Sequence, residues 1–335
     1  MLDIVGKRGW YFLFSALLIL PGLVSLIIPP GGWVSGGSGL NPGIDFTSGS
    51  ALQVTFETKI TERQVQERMD QLGYPEALIQ KIGARAVFIR IRELPPEAGG
   101  EDLSERETIQ RDLDRFVASI ESVQFDSVSP IIAAETVRNA IWAVLAASVF
   151  ILLYIWYAFR RVPKSYRYGV SAILALVHDV VLVVGIFSIL GRVINMEVNS
   201  MFIVGVLIVA GYSVNDTIVV FDRIRENVIR YPDRGLAALV NQSIMDTVAR
   251  SLNTSFTTLF VLLALLLMGG PSIRELLLVV AVGVVAGTYS SIFIASQYLV
   301  IWERGEIGRF LRRRGRTAST AATTIGATFM SLIGR

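Results

Sequence analysis

Long apolar runs and one long polar stretch divide the chain. A membrane-crossing helix needs about 20 mostly apolar residues. Runs at 10–28, 141–159, 170–190, 201–221, 251–268 and 276–301 meet or approach that length. They predict six transmembrane helices. Lys7 and Arg8 precede the first run, which exits through Leu26-Ile27-Ile28-Pro29. A cleaved signal peptide would have a shorter apolar core and a small-residue exit, so this run is expected to stay as an anchor.

The stretch between the first two runs has a different rhythm, and about 110 residues suffice for a folded domain. Residues 51–57 alternate apolar and polar, as a half-buried strand does. Residues 61–72 read as a helix with Thr61 as its cap. Residues 78–82 and 85–92 read as a hairpin turned at Gly83. Residues 104–120 read as a second helix, with Ser104 and Glu107 forming a capping box. Residues 124–128 supply a closing strand. The order β-α-β-β-α-β is the ferredoxin-like pattern. The fold expected is therefore an α-helical membrane protein carrying an α+β ferredoxin-like domain between helices one and two. Residues 31–39, rich in glycine and serine, read as the linker into it.

Charge sharpens this division. Hydrophobic residues make up 52% of the chain and charged ones 18%, against about a quarter charged in a soluble domain. Residues 31–135 hold 17 of the 28 acidic and 10 of the 31 basic residues, a net charge of −7 inside a chain of +3. The bases lie beside the apolar runs: Lys7 and Arg8; Arg160, Arg161, Lys164 and Arg167; Arg223, Arg225, Arg230 and Arg234; then Arg304, Arg309, Arg312, Arg313, Arg314 and Arg316. With six crossings all four groups fall on one face, which the positive-inside rule makes cytoplasmic. Four divisions are expected. Residues 1–28 hold the cytoplasmic N-terminus and helix one, and 29–138 form the extracytoplasmic domain. Residues 139–303 form helices two to six, with a cytoplasmic amphipathic segment at 222–250, and 304–335 form a basic cytoplasmic tail. Within that segment Leu236, Leu239, Val240, Ile244 and Val248 share one face, as in an interfacial helix. The arginine run suits lipid and topology better than nucleic acid.

The chain has no cysteine and one histidine, His178. Disulfides, thiolate chemistry and histidine-cluster metal sites are excluded, and a serine–histidine triad is disfavoured. No catalytic, cofactor or metal site is expected. The chemistry sits in the apolar runs, where a charge costs about 2.5–3.5 kcal/mol on insertion scales. Asp179 lies midway along helix three and Asp216 inside helix four, beside Asn215 and Ser213. Arg250 stands just before helix five. One reading makes Asp216 a proton-accepting carboxylate partnered by Arg250. A gradient of roughly 150–200 mV supplies about 3.5–4.6 kcal/mol per charge, comparable to breaking such a pair. The other makes the pair a static device fixing helix register. Asp179 either titrates or pairs with His178, which reads as a packing or hydrogen-bonding residue. Gly211 reads as a point of close backbone approach, and Gly283 and Gly287 as a packing face in helix six.

The residues Gly211-Tyr212-Ser213-Val214-Asn215-Asp216-Thr217-Ile218-Val219-Val220-Phe221-Asp222-Arg223-Ile224-Arg225-Glu226-Asn227 resemble the signature of the SecF family of protein-export membrane subunits. Ala249-Arg250-Ser251-Leu252-Asn253-Thr254-Ser255, His178-Asp179, Gly269-Gly270-Pro271 and Gly43-Ile44-Asp45-Phe46 are similar to further family motifs. The resemblance spans nearly the whole chain. It implies a six-helix half of a resistance-nodulation-division architecture in the bacterial inner membrane. It further implies pairing with SecD, work beside the SecYEG channel with YajC, and use of a proton or sodium gradient to draw a translocating polypeptide outward. Asp216, Arg250 and Asp179 would couple the ion, supported by Asn215, Ser213 and His178, while Gly43, Asp45 and Phe46 mark the path into the outward domain. Two other readings stay open: half of a proton-driven exporter of lipids or small molecules, and a scaffold for SecD.

Overall fold

A computed structural model describes residues 3–28, 39–91, 94, 104–160, 164–270 and 273–303 of the chain. Helix α1 (Arg8–Ile27) is followed by a one-turn helix α2 (Ile44–Thr47), strand β1 (Gly49–Phe56), helix α3 (Glu62–Gln71), strands β2 (Leu78–Lys81) and β3 (Ala86–Ile91), helix α4 (Glu105–Phe116) and strand β4 (Ile120–Val128). Five long helical elements then follow: α5 (Pro130–Ala158), α6 (Tyr166–Ile194), α7 (Ser200–Arg230), α8 (Leu236–Met268) and α9 (Arg274–Ser290). A π-helical segment, Ser291–Ala295, joins α9 to α10 (Ser296–Glu303). Among the described residues, six helices have the length and composition to cross a membrane: α1, α5, α6, α7, α8 and the composite Arg274–Glu303. The chain is a multi-pass membrane protein.

The expected α+β element is present. The sheet order is β2-β3-β1-β4, with every neighbouring pair antiparallel. Strands β1 and β2 therefore run parallel on either side of β3, the split βαβ arrangement. Alternation explains the core: Leu52, Val54 and Phe56 of β1 and Val87, Ile89 and Ile91 of β3 face Val65 and Met69 of α3 and Ile109 and Leu113 of α4. Thr61 caps α3 in a full capping box with Gln64, and Ser104 Oγ accepts from Glu107 N at the start of α4. Arg68 of α3 grips Asp112 of α4 through both carboxylate oxygens while its guanidinium lies 3.9 Å from the Phe116 ring.

Two expectations of extent change. Helix α5 begins at Pro130, before the polar turn containing Glu135, Thr136 and Arg138 that delays its hydropathy signal. Proline is tolerated there because a first-turn residue needs no amide donor. Residues 236–268 form one continuous helix, not an interfacial helix followed by a span. Leu239, Val240 and Ile244 are buried with Ile4, Phe221 and Ile224, and Leu236 and Val248 pack against that core. A 3.6-residue apolar stripe serves a protein core as well as a lipid surface, and no helix breaker stands between 248 and 251. Residues 31–38, Arg92, Arg161, Pro271 and the basic tail 304–335 lie outside the described residues.

The chain forms two compact units. One comprises Met1–Ile19, Ser148–Val183 and Ile208–Arg335; the other comprises Leu20–Ala147 and Val184–Leu207. In the first unit Phe159, Tyr168 and Phe221 form a mutually contacting aromatic trio. Ile4 N donates to Asn241 Oδ1, and Arg167 pairs with Glu303. The starts of α1, α6 and α8 and the end of α10 thus gather at one end of this unit. In the second unit, a Cβ at Gly22 would stand 2.6 Å from Gly185 Cα, so α1 and α6 meet backbone to backbone.

Candidate functional site

The first unit brings its chemistry to a cluster in the apolar interior. Asp179 is fully buried on α6. Its Oδ2 accepts from Ser213 Oγ of α7 at 2.5 Å and from Ser290 Oγ of α9 at 2.6 Å. Its Oδ1 lies 2.9 Å from His178 Nδ1. With Nδ1 protonated, His178 donates to Asp179 and its Nε2 accepts from Ser15 of α1. One carboxylate therefore ties four helices together. Ser213 and His178 both bond this carboxylate, and His178 bridges it to Ser15.

Asp216 lies one turn further along α7, 5% exposed. Ser251 of α8 is its polar neighbour, though Asp216 Oδ2 and Ser251 Oγ, both buried, fall short of regular hydrogen-bond geometry. The expected partner Arg250 is not joined to it. Arg250 is exposed, and among the described residues no ion pair links it to Asp216. The reason is helical phase. Thr247, Ser251 and Ser255 recur every four residues on the buried face of α8, and Arg250 lies about 100° away from Ser251. Asn215 and Gly211 are likewise exposed on α7, and a Cβ at Gly211 would meet nothing within 4 Å. Among the described residues no backbone of this chain approaches Gly211. Close approach falls to Gly283, where a Cβ would stand 2.0 Å from a Val209 methyl, and to Gly287 against Ser213.

A ladder of hydroxyls joins α7, α8, α9 and the π-helical segment. Thr217 Oγ1 lies 2.8 Å from Ser291 Oγ, and Ser291 Oγ donates to Ser213 O. Tyr212 OH donates to Ser255 Oγ, which lies 2.5 Å from Thr288 Oγ1. Ser290, Ser291, Ser296 and Gln297 are all fully buried, and the π-helical segment sits among them. π-Bulges often mark functional positions. Sequence reasoning missed this ladder because it searched the helices for charges. Hydroxyls bond the preceding turn's carbonyls, as Thr288 Oγ1 does to Val284 O, and so raise no hydropathy flag.

In the second unit Gly43-Ile44-Asp45-Phe46 forms the one-turn α2 and its cap. Gly43 N donates to Val198 O at 2.8 Å and Val198 N donates to Asn41 O at 2.7 Å. Asp45 Oδ2 accepts from Ser200 N at 2.7 Å and also from Ser200 Oγ, so it caps the positive end of α7. Phe46 is half-buried. The signal the sequence left unread is Glu197, 8% exposed and 3.3 Å from Arg90 of β3. Burial, with Asp45 adding to it, pushes the Glu197 carboxyl above the ordinary glutamate range; Arg90 offsets only part of this. Gly49 holds φ +121, and a Cβ there would press within 2.7 Å of Ile91 O, so glycine is required as β1 begins.

Among the described residues there is no cluster of His, Asp and Glu suited to a metal ion. What the arrangement offers is a pair of buried carboxylates on adjoining transmembrane helices, one saturated with donors and one with only the Ser251 hydroxyl beside it.

The family model described as "Protein export membrane protein SecD/SecF, C-terminal" matches residues 108–305, and that of the "SecD/SecF GG Motif" matches 33–60. Protein translocase subunit SecF of Thermobaculum terrenum is 40% identical over 334 residues, covering 97% of this chain and all of the relative. The subunit of the same name from Anaerolinea thermophila is 38% identical, covering 95% of this chain and all of that one. The crystal structure of SecDF, a translocon-associated membrane protein from Thermus thermophilus, superimposes with a TM-score of 0.75 at 33% identity. It matches 90% of this chain, which spans 39% of that longer one. The chain belongs to the SecF family of protein translocase subunits. The full-length relatives are translocase subunits by name, which disfavours the small-molecule exporter reading.

Proposed function

We propose that the chain is the auxiliary SecF-type subunit of the Sec translocase, coupling an ion gradient to late-stage polypeptide export across the bacterial inner membrane. The observation that carries this is Asp216: a carboxylate inside a membrane span, buried, with only the Ser251 hydroxyl beside it and no regular hydrogen bond to its Oδ2. A carboxylate so sparsely bonded at that depth is costly in a purely structural role and suits a group that takes up and releases a cation. Asp179, saturated by three donors, serves as the fixed pivot of the same helices.

Pairing with a SecD-type subunit is supported by the polar face that α7 and α8 leave uncovered. Asn215, Arg250, Asn253, Thr254 and Thr257 are all exposed in a chain whose surroundings at that level are lipid. Such groups in hydrocarbon require cover. On this reading Arg250 completes the coupling site only when the partner's helices are in place. The outward α+β domain, anchored through Asp45, Glu197 and Arg90, transmits the movement to the emerging chain. Both termini are then cytoplasmic, and SecYEG and YajC are the further partners.

Gradient-dependent export into proteoliposomes, with Asp216→Asn and Arg250→Gln made singly and together, tests this. The expected result is loss of the gradient-stimulated fraction in each single variant and no further loss in the double. Export that responds to the gradient in Asp216→Asn as in the parent would overturn it.

A further inference from the structure

The end of the first unit that gathers the basic residues contains a cleft of about 270 Å³ that the export role does not use. Its rim carries Lys164, Arg167 and Arg234, against a single acidic lining residue, Glu303. Its floor is apolar, formed by Leu236, Leu239 and Leu299. We propose that this cleft is a binding site for the phosphate group of an anionic phospholipid.

Four observations support it. Glu303 is committed to Arg167, while Lys164 and Arg234 form no ion pair among the described residues. Arg167 is largely buried, and its Nε has no hydrogen-bond partner. Lys164 is held at φ +58, a left-handed conformation uncommon for a long side chain, at the turn that puts it on the rim. The surrounding aromatics set the depth. Tyr166 packs edge-on against Trp302 at 5.9 Å, and Arg234 lies 4.8 Å from the Tyr231 ring. Tyrosine and tryptophan concentrate where headgroups lie. Cationic donors above an apolar floor, at that level, match a phosphate with acyl chains beneath it better than a free anion, which needs no floor. Basic pockets between helices bind lipid headgroups by this chemistry.

The test uses the detergent-purified full chain. Native mass spectrometry titrates phosphatidylglycerol and phosphatidylcholine, and thermal unfolding is followed with phosphatidylglycerol micelles or inorganic phosphate. The expected result is phosphatidylglycerol binding at least about tenfold tighter than phosphatidylcholine, a margin of about 1.4 kcal/mol. Lys164→Gln/Arg234→Gln should erase that margin, and Lys7→Gln/Arg160→Gln, which removes equal charge from the same end, should keep it. Should the double variant misfold, Lys164→Gln alone is expected to shrink the margin about threefold. Equal binding of the two lipids would overturn the proposal, as would an equal loss in the charge control. Stabilisation by inorganic phosphate matching that by phosphatidylglycerol would overturn the lipid source in favour of a soluble anion. None of these readouts involves export, so their failure is separate from failure of the translocase reading.

Discussion

Arg90 of β3 and Glu197 of the α6–α7 connection lie 3.3 Å apart with side chains only 18% and 10% exposed. The pair joins the α+β fold to the loop that α2 also grips. Breaking a buried pair leaves the surviving charge uncompensated, so Arg90→Ala should cost about 2–3 kcal/mol in thermal or chemical unfolding. The pH dependence has a definite sign. Burial raises the Glu197 carboxyl above its ordinary 4.5, so the folded state holds that proton more tightly than the unfolded chain. Its contribution to stability is complete below the ordinary value and is lost as pH rises through the raised one. Melting curves of the parent should therefore gain from this group on acidification from neutrality, and Glu197→Gln should remove that gain. A parent-like pH slope in Glu197→Gln would refute the assignment.

Asp179 should behave as a structural anchor. Asp179→Ala strands Ser213, Ser290 and His178 in the interior and leaves a void, for a loss of about 2–4 kcal/mol. Asp179→Asn keeps an acceptor for the serines and should cost under about half of that. Unfolding of the two variants in one detergent gives the comparison, and equal losses would show that hydrogen bonding is not what Asp179 supplies.

Asp216 should show the opposite pattern. Its Oδ2 is buried with no regular hydrogen bond, so Asp216→Asn should leave stability unchanged or raise it, while ion coupling is lost. Arg250→Gln, on an exposed face of the isolated chain, should shift stability by no more than about 0.5 kcal/mol. A large destabilisation by either would mean that the two residues already pair within this subunit.

The contact of Gly22 with Gly185 leaves no room for a methyl group on either side. Gly22→Ala or Gly185→Ala should each destabilise by about 1–3 kcal/mol, because backbone rather than a movable side chain blocks the Cβ. The two changes together should fall short of additive, since either one alone already separates the helices. Thermal melting of the three variants is the measurement.

The spans and the ferredoxin-like order were legible because each rests on periodicity: unbroken apolar runs for the helices, alternation for β1 and β3, and capping at Thr61 and Ser104. The carboxylates were legible because charge in an apolar run stands out. What stayed hidden depends on phase and on distant partners. Arg250 and Ser251 are adjacent in sequence, and only the helix's rotation sends one outward and the other toward Asp216. Glu197 looks like an ordinary loop acid until Arg90, more than a hundred residues earlier, is found beside it. The stripe from Leu236 to Val248 has the same spacing whether lipid or protein covers it, so sequence could not choose between them.

The π-helical segment means that the sixth span is wound with one residue to spare. Removing a residue from 291–295 would let the helix close into regular winding while Leu299 and Val300 kept their facing. The same deletion in α6 or α7 would swing everything beyond it by about 100° and pull Asp179 or Asp216 out of line. The last span thus has one place where the chain can be shortened without being rephased, and it lies beside the buried carboxylates.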